Sequence, residues 1–156
     1  MPPKSDLSLL NCSLARALSS VGDGWTLLII RDAFFGLSRF SDFQKSSGVA
    51  RNILARRLEA LIAAGILWRD GSDARPLYRL TEKGRALLPA LVALMQWGDR
   101  WESDDCPPVV LTDAEGSALA PVRVETSAGE AVTAETIHFA AGPGADPRTA
   151  AFFGRR

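Results

Sequence analysis

Arg51, Asn52, Ala55 and Arg56 are spaced so that a helix would carry all four on one side. Arginine makes paired hydrogen bonds to a guanine edge and asparagine to an adenine edge, so this face suits reading bases in a major groove. The alternative is a solvated helix face. Arg57 lies one step off and is equally suited to pairing with an acid. Ser46, Ser47 and the start of the same helix could hold a phosphate through backbone N–H groups. Arg69, Arg75 and Arg79 flank two short extended runs, and Arg39 opens an earlier helix. These four suit the sugar-phosphate backbone or a minor groove, giving affinity and salt dependence more than sequence choice.

Two further groups could do chemistry. Cys12 stands at the mouth of the first helix, where the positive end of the dipole favours a thiolate; the other reading is an inert cysteine. Trp25, Phe34, Phe35, Trp97 and Trp101 could gather into a cleft for a planar ligand, or serve simply as core. His138 reads as an ordinary strand residue. With one histidine and two cysteines 94 positions apart, the chain offers no conventional zinc site. There is no nucleophile–base pair, phosphate loop or metal cluster, so neither an enzyme nor a cofactor is expected.

The elements that must position these residues can be read from the apolar pattern. Ile53, Leu54, Leu58, Leu61 and Ile62 recur at helical steps, and Gly65 stops the helix, predicting a recognition helix over about 49–64. A hairpin follows over about 66–80, turning at Asp70-Gly71-Ser72-Asp73. Upstream, Ser13–Val21 reads as a short helix, and Trp25–Phe35 as a buried central helix ended by Gly36. A third short helix spans Ser38–Phe43 with Ser38 as its N-cap. Thr81 opens a last long helix reaching about Trp101, with Pro89 expected to kink it or to force a locally open turn. A helix with an arginine-rich outer face followed by an arginine-bearing hairpin is a winged helix. Beyond Cys106-Pro107-Pro108 the pattern changes to Val109–Leu111, Val122–Glu125 and Ile137–Phe139 among turn residues, predicting a small flap of strands.

The formal net charge is zero, but it is unevenly divided. Residues 1–101 hold 14 Lys+Arg against 9 Asp+Glu, and residues 102–156 hold 4 against 9. A basic module with an acidic attachment is implied, its excess small enough that a few placed arginines must carry any DNA contact. The longest apolar stretch, Trp25–Ile30, is too short for a bilayer, and the first residues contain no signal-peptide core. A reducing cytoplasm, with both cysteines as thiols, is the expected location.

Several patterns together resemble the HxlR-type winged-helix regulators, a branch of the MarR-like group. Cys12 is followed thirteen residues later by Trp25. Then come Arg39-Phe40-Ser41-Asp42-Phe43, the helix Ile53–Leu61, the step Ala64-Gly65-Ile66-Leu67, and the exit Tyr78-Arg79-Leu80-Thr81-Glu82-Lys83-Gly84. The resemblance covers about residues 11–102. It implies a homodimer packed through its first and last helices, which presents two recognition helices to a palindromic operator in double-stranded DNA, for repression or activation. It implies also that oxidation or alkylation of Cys12 could alter the spacing of those helices, with Cys106 approaching Cys12 of the partner subunit. Many relatives end in a ribbon bearing His-x-x-Cys-Gly and Cys-x-x-Cys-Gly elements. Here Thr112, Glu115, Glu125 and Ala128 replace the ligands while Gly116, Gly129 and Gly142-Pro143-Gly144 remain, so no metal is expected.

The expected fold is mainly α with a small β component (α+β): a flexible 1–10, a DNA-binding and dimerisation domain over 11–105, a β-rich extension over 106–145 and a flexible 146–156. The expected function is a dimeric DNA-binding transcriptional regulator, responsive to Cys12 chemistry or a small aromatic ligand. The alternative is a winged-helix module that docks proteins instead of DNA.

Overall fold

The computed structural model describes residues 6–71, 75–104 and 106–154. They divide into two compact units, one ending at Leu87 and the other beginning at Leu88.

The first unit holds a 3-10 turn at Leu7–Leu9 and helices α1 (Ser13–Val21), α2 (Gly24–Phe34), α3 (Phe40–Ser47) and α4 (Arg51–Ala63). Strands β1 (Leu67–Asp70) and β2 (Leu77–Leu80) and the single turn α5 (Glu82–Arg85) complete it. Its core is Ile29 and Ile30 of α2, Phe43 of α3, Leu54, Leu58 and Leu61 of α4, and Ile66, Leu67 and Tyr78 of the hairpin. The α4 residues follow the helical spacing predicted from their apolar pattern, which is why one face of that helix is free of core duty. β1 and β2 are antiparallel, pairing Trp68 with Arg79 and Arg69 with Tyr78. A third, minimal strand joins them: Arg39 bridges Leu77, and the Tyr78 N–H donates to the Ser38 carbonyl at 2.7 Å. Because Ser38 is held in that sheet, it does not cap α3; the N-cap is Arg39, without a side-chain hydrogen bond. The tip of the hairpin, residues 72–74, lies outside the described residues, as do residues 1–5 of the expected flexible N-terminus.

The expected long helix from Thr81 is two helices. α5 stops at Arg85, a turn occupies Ala86 and Leu87, and α6 (Leu88–Trp101) begins the second unit. Pro89 does not kink α6, since it stands in the first turn, where no intrahelical donor is needed. Gln96 of α6 fastens the following segment: its Nε2 donates to the Ala120 carbonyl at 3.0 Å, and its Oε1 accepts from the Val122 N–H at 2.8 Å. That segment contains β3 (Val124–Glu125) paired antiparallel with β4 (Ala131–Val132), and a lone bridge between Thr112 and Ala118. Gly116 and Gly129 sit at positive φ in the two turns. Val109–Leu111 and Ile137–Phe139, expected as strands, form none; His138 therefore lies in irregular chain. Pro147–Phe153 forms α7, where the sequence suggested no regular structure; Asp146 caps it by accepting from the Thr149 N–H at 2.7 Å.

Candidate nucleic-acid interface

α4 presents Arg51, Asn52, Ala55 and Arg56 to solvent on the face opposite Leu54, Leu58 and Leu61. Its N-cap is Ala50, which offers no side-chain acceptor, and its first turn contains no acidic residue. A helix N-terminus carries unpaired N–H groups and partial positive charge. Here a cation, Arg51, is added at the same end, so the local field favours an external anion. The Arg51 guanidinium lies over the Phe40 ring of α3, 4.9 Å from its centroid, so a cation–π contact rests it against the α3 side of the helix start. Ser47, singled out for phosphate contact, uses its hydroxyl locally. It donates to the Phe43 carbonyl at 2.8 Å and accepts from the Val49 N–H at 3.3 Å, shaping the turn between α3 and α4. Gly48 sits in that turn at φ 66°, a conformation other residues rarely take.

Two devices fix α4 in place. At its N-terminal half, Arg57 reaches across to α2, donating from Nη2 to Asp23 Oδ2 at 2.7 Å. Asp23 is at the same time the N-cap of α2, accepting from the Thr26 N–H. Of the two roles left open for Arg57, ion pairing is the one observed. At the C-terminal end, Gly65 at φ 68° closes a Schellman motif: the Ile66 N–H returns to the Leu61 carbonyl, and the Gly65 N–H to that of Ile62. The remaining carbonyls of that end are taken by α5. Lys83 Nζ donates to Ala64 O at 2.7 Å and the Thr81 hydroxyl to Gly65 O at 2.7 Å. Gly84 packs so tightly beneath them that a Cβ there would stand 2.3 Å from Ile66 O. The stretch Thr81-Glu82-Lys83-Gly84, read from sequence as the exit from the wing, is therefore also the clamp on α4.

The wing arginines are partly engaged. Arg69 pairs with Glu59 of α4 and lies 5.9 Å from the Tyr78 ring centroid. The Glu59 carboxylate beside it pushes the Arg69 guanidinium above its ordinary pKa. Arg79 Nε donates to Asp70 Oδ2 at 2.7 Å. Arg75, ahead of β2, and Arg39, at the mouth of α3, are exposed. The sequence reading grouped the wing arginines without their carboxylates. Glu59, ten residues from Arg69, and Asp70 gave no periodic signal that would have tied them to the wing.

The five aromatic residues suggested for one cleft fall in two units, Phe35 being the exposed C-cap of α2. Trp25 and Phe34 belong to α2, nine residues apart and so on opposite sides of that helix. Phe34 packs against the core, while Trp25 is exposed. Trp97 and Trp101 share one exposed face of α6. Cys12 is the N-cap of α1 and Cys106 follows α6; both are exposed free thiols.

Residues 20–105, which span α2 to α6, match the model of the HxlR-like helix-turn-helix family. The chain belongs to that family. Among curated proteins it is 41% identical to the HTH-type transcriptional regulator Rv3095 of Mycobacterium tuberculosis, over 85% of this chain and 87% of that one. It is 31% identical to an HTH-type regulator of Methanothermobacter thermautotrophicus over 59% of this chain and 73% of that one. Among solved structures, PA1607, described as a candidate transcription factor, shares 42% identity with a TM-score of 0.79, covering 85% of this chain and 96% of its own. The redox regulator HypR in its reduced form shares 25% identity with a TM-score of 0.54, covering 60% of this chain and 99% of its own. This HxlR-type chain is thus a transcriptional regulator with a helix-turn-helix, and its family and relatives are regulators rather than enzymes. Among the described residues, no helix is long and apolar enough to cross a membrane.

Proposed function

We infer that the chain acts as a homodimer on a palindromic site in double-stranded DNA, with α4 in the major groove and the hairpin beside it. One observation carries the reading: the outer face of α4 joins Arg51, Asn52 and Arg56 to an uncapped, acid-free helix N-terminus. The first turn then receives a phosphate while the side chains meet base edges. Dimerisation is supported by apolar surface that a single chain leaves uncovered. On α6, Leu94, Trp97 and Trp101 are 51, 53 and 62% exposed and fall at the i, i+3 and i+7 positions of one stripe. On α1, Leu14 and Leu18 stand exposed one turn apart.

Control through Cys12 is part of the same reading. Its thiol stands free at the N-cap of α1, and the structural relatives include the redox regulator HypR and the Bacillus subtilis regulator YodB, both in reduced form. Oxidation there would disturb a helix proposed to lie in the dimer interface.

The test is binding to the DNA upstream of the chain's own gene and its divergent neighbour, across a salt series, with and without diamide. A two-fold symmetric footprint that weakens steeply with salt supports the regulator reading. Loss of that footprint on oxidation in the wild type, with none in Cys12→Ser, supports the thiol switch. Absence of specific binding at every salt concentration would favour a protein-docking module built on the acidic second unit.

A further inference from the structure

We propose that a cavity at the root of the wing is an effector site for a planar aromatic carboxylate. The cavity holds about 380 Å³, within the range of small-molecule sites. Phe34 and Leu37 line it from the end of α2 and the loop beyond, Trp68 and Arg79 from the hairpin, and Arg85 from α5. No carboxylate is among its lining residues.

The chemistry of the lining selects the ligand class. Trp68 is 44% exposed, a large indole surface with no structural duty in the core. Strand register places it directly opposite Arg79, so an aromatic surface and a guanidinium are cross-strand neighbours. Among the described residues, Arg79 is bonded through Nε alone, to Asp70, and Arg85 through Nη1 alone, to the Leu80 carbonyl. Both therefore keep outward donors, and guanidinium binds carboxylate through paired, charge-assisted hydrogen bonds. A flat apolar body beside Phe34 and Trp68, with an anionic end toward the two arginines, satisfies every part of the lining. An uncharged ligand makes no use of the remaining guanidinium donors, and a phosphate leaves the aromatic walls in water.

The site also has a route to an output. An incoming carboxylate competes with Asp70 for Arg79, and Arg79 belongs to the strand that carries the wing. That output rests on the DNA-binding reading above, whereas occupancy of the cavity does not.

The experiment is calorimetry and a two-dimensional amide and indole spectrum of the full chain titrated with naphthoate, against the near-isosteric uncharged naphthamide. The expected result is one naphthoate per chain, with naphthamide weaker by roughly tenfold or more. The indole N–H signal of Trp68, identified by its absence in Trp68→Phe, shifts more than those of Trp25, Trp97 and Trp101. Trp68→Ala and Arg85→Gln each lose binding by a similar factor, and Phe139→Ala, exposed in the second unit, leaves it unchanged. No heat or shift at millimolar naphthoate overturns the proposal. So does equal binding of the amide, or a principal shift at another indole. Binding that persists while no DNA complex forms under any condition would spare the cavity and overturn the DNA-binding reading instead.

Discussion

Arg51 and Arg56 have no carboxylate partner among the described residues, whereas Arg57, Arg69 and Arg79 each have one. The difference separates arginines that look alike in sequence. Arg51→Ala and Arg56→Ala should each weaken binding to the specific site by about 1–3 kcal/mol and narrow the margin over unrelated DNA, measured by competition. Arg69→Ala should cost much less, because its guanidinium must first leave Glu59. A larger loss for Arg69 than for Arg51 would contradict this ranking. A second residue-level test concerns Asp32, whose side chain is fully buried. Its Oδ1 accepts from Arg31 Nε and Nη2 at 3.0 and 2.7 Å, while its Oδ2 has no partner among the described residues. Arg31→Met should strip the pair and cost on the order of 3 kcal/mol in urea unfolding. Asp32→Asn in that background should recover part of the loss. Sequence showed the outward face of α4 because burial of Leu54, Leu58 and Leu61 dictates it. It could not show the ion pairs, since Asp23 and Arg57 lie 34 residues apart and meet only through the packing of α2 on α4.

Among the elements, the closure of α4 by α5 gives the sharpest expectation. Gly84→Ala would drive a methyl into the Ile66 carbonyl and a Leu80 methyl, and should destabilise the first unit more than Gly65→Ala. Gly65→Ala meets no atom within 4 Å and suffers only the strain of positive φ. Thr81→Ala should cost about 1 kcal/mol by removing the cap on Gly84 N–H. Thermal melts of the three variants give the order. At α7 the direction with pH is fixed. The Thr149 N–H holds the Asp146 carboxyl below its ordinary pKa, so the folded state prefers the ionised form. That contribution is fully present above the ordinary aspartate range and is lost as pH falls below it through the lowered pKa of the folded state, so α7 amides should lose exchange protection on acidification. Element type and order in the first unit were legible because apolar residues recur at helical and strand periods there. Two features were not. The break at Ala86-Leu87 is hidden because Leu87, Leu88 and Leu91 continue the apolar pattern across it. The second unit has little core, so its alternating apolar residues do not have to form strands.

At the scale of the molecule, the exposed stripe of Leu94, Trp97 and Trp101 should decide the oligomeric state. Trp97→Glu or Leu94→Glu should shift the chain from dimer to monomer in sedimentation velocity and, with it, abolish the symmetric footprint. Unchanged sedimentation would place the interface elsewhere. Lys83 holds the Ala64 carbonyl at the C-cap of α4, and the Thr81 hydroxyl holds the carbonyl of Gly65 beyond it. The C-terminal end of α4 is thereby held from α5, within the first unit alone. A change at Thr81 or Lys83 would then loosen the far end of α4 while leaving every arginine of its outer face in the sequence.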